Sequence, residues 1–269
     1  MSLVFAAIAP HGTLPEAPVA DADATHAALA TLGERFEAAR PDTTIVLTPH
    51  NVHVQEHFAV VLAGTLAGSL AEFDAPDVHL SVPVDVELAT RAVTALHDDG
   101  IPVVGASFGA NDPTAATAPM DWGVLIPVWA MGGRHDPPVP VVVVSPARDL
   151  SLEEHVRAGR ALARAADEAG KRVALIASAD HGHAHDADGP YGFDPAAAEY
   201  DRQVTELVQE NRLAGLLDLD PAFVDAAKAD SWWQMLMLHG ALADNWDAEF
   251  LSYEASTYFG MLCAAYAPN

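Results

Sequence analysis

Three apolar runs in this chain each deliver histidines at their C-terminal ends. Residues 3–8 lead into Pro10-His11-Gly12, residues 45–47 into Pro49-His50-Asn51-Val52-His53, and residues 173–176 into Asp180-His181-Gly182-His183-Ala184-His185. A buried strand that ends in a histidine sets an imidazole at the rim of a sheet, where open α/β folds build their sites. Neutral imidazole is the commonest metal ligand, and histidine is also the side chain whose charge changes near neutral pH. Three such ends point to a metal centre with an acid–base histidine beside it.

Taken singly, His11 or His50 reads as an ordinary loop histidine; the repeated Pro-His context is what points to a shared site. His53 lies three residues beyond His50, so in an extended segment the two side chains face opposite ways. One ligand with one neighbouring group fits that spacing better than two ligands. In the 178–186 segment, an extended backbone would put His181, His183 and His185 on one side. Its most economical use is one general acid–base histidine whose neighbours shape the pocket. His26, His57, His79, His97, His135 and His155 sit in helical or loop contexts and read as surface residues. Trp129, Trp232 and Trp233 read as core or pocket wall.

The elements that must position these side chains alternate between short apolar runs and stretches of helical period. That is the pattern of a layered α/β domain. Strands are predicted at 3–8, 44–48, 102–106, 139–145 and 172–178, and helices at 23–39, 84–98, 151–169, 195–213 and 231–243. The 151–169 helix is well marked, with Ser151 and Glu154 at capping-box spacing and Gly170 beyond its last turn. The stretch 57–72 fits a strand or a helix. No repeat or low-complexity linker divides the chain. The expected architecture is a single domain over residues 1–269, with a central mixed β-sheet flanked by helices.

Composition narrows the function classes. The 269 residues carry 38 acidic against 13 basic side chains, a formal charge of −25, which argues against nucleic acid and anionic membranes as partners. No run of about 18 apolar residues suggests a membrane span, and the N-terminus lacks the basic region of a secretory signal. Cys263 is the only cysteine, which excludes an internal disulfide and any multi-cysteine metal site. A cytoplasmic location is expected. No nucleophile elbow and no phosphate-binding loop appears.

In order and spacing, Pro10-His11-Gly12, the Thr48-to-His53 stretch and the strand exit from Ser178 to His183 resemble the class III extradiol ring-cleavage dioxygenases, the LigB-like superfamily. The resemblance covers nearly the whole chain and includes Asp-x-Gly-x-x-x-Pro at 121–127 and the late helix that begins Asp230-Ser231-Trp232-Trp233. It implies an Fe(II) enzyme that opens a catechol-type or aminophenol-type ring with O2. Two histidines and a carboxylate hold the metal in that family, which carries over to His11, His50 and Asp230.

The family more often has glutamate at the place of Asp230, and Glu254 is the rival carboxylate. Asp230 also suits a plain helix N-cap. The acid–base histidine stands five residues after the strand-exit serine, which gives His183, with His185 in reserve. Many relatives carry a substrate-positioning histidine where this chain has Trp122, and His53 is the residue available to take over part of that role. Such a ligand set leaves coordination positions open on Fe(II), and ring insertion needs a proton that a histidine can deliver. The resemblance also allows a homodimer or a small accessory subunit. The alternatives are a Memo-like, non-catalytic metal-binding protein and a zinc-bound relative that cleaves dihydroxyphenylalanine-like substrates.

Overall fold

The computed structural model describes residues 3–19, 21–242 and 245–269. The chain begins β1 (Leu3–Ala9), α1 (Asp23–Ala39), β2 (Thr43–Leu47), β3 (Phe58–Val61), β4 (Thr65–Leu70) and β5 (Ala75–Pro83). It continues through α2 (Val86–Asp98), β6 (Val103–Ala106), β7 (Thr117–Pro119), α3 (Trp122–Ala130), β8 (Val141–Ser145), α4 (Leu152–Ala169) and β9 (Val173–Ser178). The last part holds α5 (Pro195–Gln209), α6 (Pro221–Ala226), α7 (Trp232–Leu242), β10 (Trp246–Glu254) and β11 (Met261–Pro268).

Eight strands form one mixed sheet in the order β10-β11-β1-β9-β2-β8-β3-β6. Its centre, β1-β9-β2-β8, is all parallel. These strands are covered on both faces, so they read as continuous apolar runs such as the four valines of β8. The registers Ala9↔Ser178, Leu47↔Ala177 and Leu47↔Val144 end all four strands at the same level. The loops that leave these strands therefore meet along one edge of the sheet. A smaller sheet, β5-β4-β7, stands beside the main one.

Helix α4 packs against both α2 and α7, and α1 packs with α3. The Ser151/Glu154 capping box is present at the start of α4, and Gly170 closes its end with φ +67°. Where α4 crosses α7 the backbones touch: a Cβ at Gly159 would meet the Met237 carbonyl oxygen at 1.8 Å, and one at Gly240 would meet that of Val156 at 2.0 Å. This crossing anchors α7, whose N-terminal approach carries Asp230. Among the described residues no helix is long and apolar enough to cross a membrane.

Several expectations need correction. The ambiguous 57–72 stretch is two strands in different sheets, β3 and β4. The helix expected to 213 stops at Gln209. Residue 243, the expected end of the last helix, lies outside the described residues. His155 is fully buried, not a surface residue. It shares the inward stripe of α4 with Ala158, Gly159 and Leu162, donates from Nδ1 to the Ser151 carbonyl at 2.8 Å, and meets Phe58 edge-on.

Candidate metal centre

The exits of β1 and β2, together with the residue two places before α7, bring His11, His50 and Asp230 to one point. His11 Nε2 lies 3.2 Å from His50 Nε2 and 3.8 Å from Asp230 Oδ2, and His50 Nε2 lies 3.5 Å from that same oxygen. Donor atoms so spaced can each stand about 2.0–2.2 Å from a single ion. Asp230 Oδ1 is buried with no hydrogen-bond partner, so that oxygen caps no backbone N–H.

The electrostatics agree with a cation site. Burial, followed by the neighbouring His50, holds the His11 pKa well below the usual imidazole range. Burial and then Arg148 lower that of His50 to about 4. Both rings are therefore neutral at neutral pH, the form in which an imidazole can ligate a metal. Burial pushes the Asp230 carboxyl up to about 7, against the pull of Arg148. Asp180 is raised well above the carboxylate range by burial and by Asp230. A divalent ion held at this cluster would reverse the penalty on each carboxylate.

Asp180 was not singled out from the sequence. It follows β9, accepts the His11 backbone N–H at 3.0 Å through Oδ1, and holds Oδ2 3.5 Å from His11 Nε2. The available signal was an aspartate two residues past a buried strand that runs parallel to β1.

The motif at 121–127 packs beneath the two histidines. Asp121 accepts from the Asn51 amide at 2.7 Å. A Cβ on Gly123 would lie 2.7 Å from Thr48 Oγ1 and 3.0 Å from His50 Cδ2, so only glycine allows this approach. The Gly123 carbonyl accepts the Ser178 hydroxyl, whose oxygen lies 2.9 Å from His11 Nδ1. Trp122 sits against His50 at 4.5 Å between ring centroids, and Phe73 meets Trp122 at 5.7 Å.

Two cavities share His50, Asp230, His183 and Tyr191 as common wall. The first, of about 650 Å³, is walled by Phe73, Trp122, Tyr258 and Phe259, with Glu16, Asp74 and Asp180 as its acidic members. The second, of about 740 Å³, contains Arg148, Lys228, His53 and Trp233. The triad stands where the two lobes meet.

His183 donates from Nδ1 to the His181 carbonyl at 2.8 Å, which leaves Nε2 as a proton acceptor. It stacks on Phe259 at 5.6 Å, and burial lowers its pKa. His53 is exposed at the outer part of the second lobe. His185 lines neither lobe; its Nε2 lies 2.8 Å from Asp201 Oδ2, an oxygen that also accepts the Tyr253 hydroxyl at 2.6 Å. His181 is buried, with Nδ1 3.0 Å from Ser231 Oγ. Glu254 accepts from Thr25 N and Oγ1 at 2.7 and 2.6 Å near the start of α1, and takes no part in the histidine cluster. Trp232 is buried, whereas Trp129 lies under Arg134.

A family model described as the catalytic LigB subunit of aromatic ring-opening dioxygenase matches residues 7–262. The chain belongs to that family. Among curated proteins, this LigB-family chain is 26% identical over 217 residues to protein CA_C1420 of Clostridium acetobutylicum. That match covers 80% of this chain and 46% of the relative, so the chain spans about half the length of that protein. Among solved structures, protein JW3007 from Escherichia coli K12 superposes with a TM-score of 0.63 at 20% identity, over 97% of this chain and 99% of that one. At that identity the likeness concerns the fold.

Proposed function

We propose that this protein is a non-haem Fe(II)-dependent extradiol dioxygenase that inserts O2 into the ring of a catechol-type or aminophenol-type substrate. The observation that carries this reading is the convergence of His11, His50 and Asp230 at the meeting point of two cavities, in a chain of a ring-opening dioxygenase family. Those three residues would hold the metal, and bound iron would supply open positions at which ring and oxygen exchange electrons.

The rest of the work falls to the chain. Trp122, Phe73, Tyr258 and Phe259 offer aromatic faces that orient a flat ring and exclude water. His183 is neutral at pH 7 because burial lowers its pKa. Its imidazole takes a proton from a ring hydroxyl as substrate binds and returns it as the ring opens. The Phe259 stack and the His181 carbonyl fix the plane of that imidazole. His53, at the cleft mouth, is a candidate to contact substrate. The single cysteine, Cys263, is buried and unpaired, as suits a reducing cytoplasm.

The test loads the protein separately with Fe(II) and Zn(II) and follows oxygen consumption with a catechol. Uptake with a yellow ring-opened product in the iron form alone is expected. Activity in the zinc form alone would favour the zinc-bound relatives. Stoichiometric metal binding with no activity in either form would favour a non-catalytic binding protein.

A further inference from the structure

We infer that Gln234 is a positioning residue of the metal centre: its side-chain amide ties the backbone of Asp230 to the end of β9 and so fixes where the carboxylate can stand. The inference rests on the metal-centre part of the proposed function and is independent of the ring chemistry.

Helix α7 is apolar apart from Gln234 and His239, and Gln234 is fully buried. A buried amide costs stability unless its polar atoms are bonded. Methionine, which the helix carries at 235 and 237, would fill a similar volume without that cost. The amide serves two carbonyls. Its Nε2 donates to the Ser178 carbonyl oxygen at 2.9 Å and to that of Asp230 at 2.6 Å. Both partners are acceptors, so only the NH2 end can face them. Gln234 Oε1 is buried with no hydrogen-bond partner among the described residues, so the group acts as a donor alone.

The two carbonyls belong to residues on which the triad depends. The Ser178 hydroxyl oxygen lies 2.9 Å from His11 Nδ1. Asp230 brings Oδ2 to 3.8 Å from His11 Nε2 and 3.5 Å from His50 Nε2. With its Oδ1 unbonded, this carboxylate inherits its position from the backbone of residue 230. The flanking chain is stitched to the 181–183 segment. Ser231 Oγ lies 3.0 Å from His181 Nδ1 and 2.9 Å from the Tyr200 hydroxyl oxygen, and the Ala227 carbonyl accepts the His183 N–H at 2.9 Å. Gln234 adds the tie that runs from Asp230 itself to the strand that orients His11.

The test titrates Co(II) into the full chain after chelator treatment and reads both affinity and visible absorption, alongside thermal unfolding of the metal-free protein. Gln234→Met should bind Co(II) about 10-fold more weakly than wild type, with an altered visible spectrum. Gln234→Asn keeps the amide on a stem one methylene shorter and cannot span both carbonyls, so it should be weakened too; it carries the test if the methionine variant does not fold. A lower unfolding temperature with wild-type affinity and spectrum would make Gln234 a structural residue only. That result would overturn the inference and leave the triad standing. Wild type that binds no Co(II) would overturn the metal centre and the inference with it.

Discussion

His11 Nδ1 lies 2.9 Å from Ser178 Oγ, and the Ser178 hydroxyl gives its one proton to the Gly123 carbonyl. The serine oxygen can therefore only accept from His11, which places the imidazole proton on Nδ1 and turns the Nε2 lone pair toward His50 and Asp230. A serine on β9 and a glycine in α3 together set the tautomer of a histidine beyond β1.

Ser178→Ala should accordingly lower metal affinity about 10- to 100-fold while the circular-dichroism spectrum stays that of the native protein. Metal titration of the variant checks this. An unchanged affinity would show that Ser178 does not orient the ligand.

Gly123→Ala adds a Cβ within 2.7 Å of Thr48 Oγ1, 2.8 Å of Asp121 Oδ1 and 3.0 Å of His50 Cδ2. We expect a loss of about 1–3 kcal/mol in stability from overpacking, together with weaker metal binding as His50 is displaced. Thermal unfolding with and without metal separates the two effects.

The pH dependence of metal binding is set by the shifted groups. With the His50 pKa at about 4 and that of His11 also lowered, neither ring needs to lose a proton at neutral pH. Asp230, pushed up to about 7, binds a proton below that pH in the metal-free protein and must release it to become a ligand. Affinity should therefore rise as pH increases toward about 7 and level off above it. Calorimetry in buffers of different ionisation enthalpy should show proton release on binding at pH 6 that fades by pH 8. Affinity that falls over this range would contradict the assignment.

His183 and His185 should respond differently to alanine. His183 lines both lobes, so His183→Ala should cost about 10²- to 10⁴-fold in turnover with metal still bound. His185→Ala removes one partner of the buried Asp201 carboxylate and should lower stability by about 1–3 kcal/mol. Activity per folded molecule should change little. Parallel measurements of unfolding and turnover distinguish the two.

Much of the site was legible because central parallel strands, buried on both faces, spell continuous apolar runs that mark their own ends. That is how the contexts of His11, His50 and the 178–183 segment stood out. The β10–β11 pair was not foreseen: β11 is rich in alanine, which has little strand preference of its own, and it gains its conformation by pairing with β1. Helix α3 was hidden by a wholly apolar sequence with an internal proline, which carries no helical period. Asp180 and Arg148 were missed for a different reason. Their placement on the cavity walls depends on strand register, which is not written in local sequence. His155 was misplaced because its polar ring outweighed its position on the inward stripe of α4.

The most direct measurement is oxygen uptake by Fe(II)-loaded wild type and His11→Ala, against catechol, protocatechuate, gallate, homoprotocatechuate and 2-aminophenol under isotopically labelled O2. Wild type is expected to consume oxygen with at least one of these and to place both labelled atoms in a ring-opened product, while His11→Ala does neither. Wild type that binds stoichiometric iron yet consumes no oxygen with any of the five, or a His11→Ala variant that matches wild type, would contradict the dioxygenase reading.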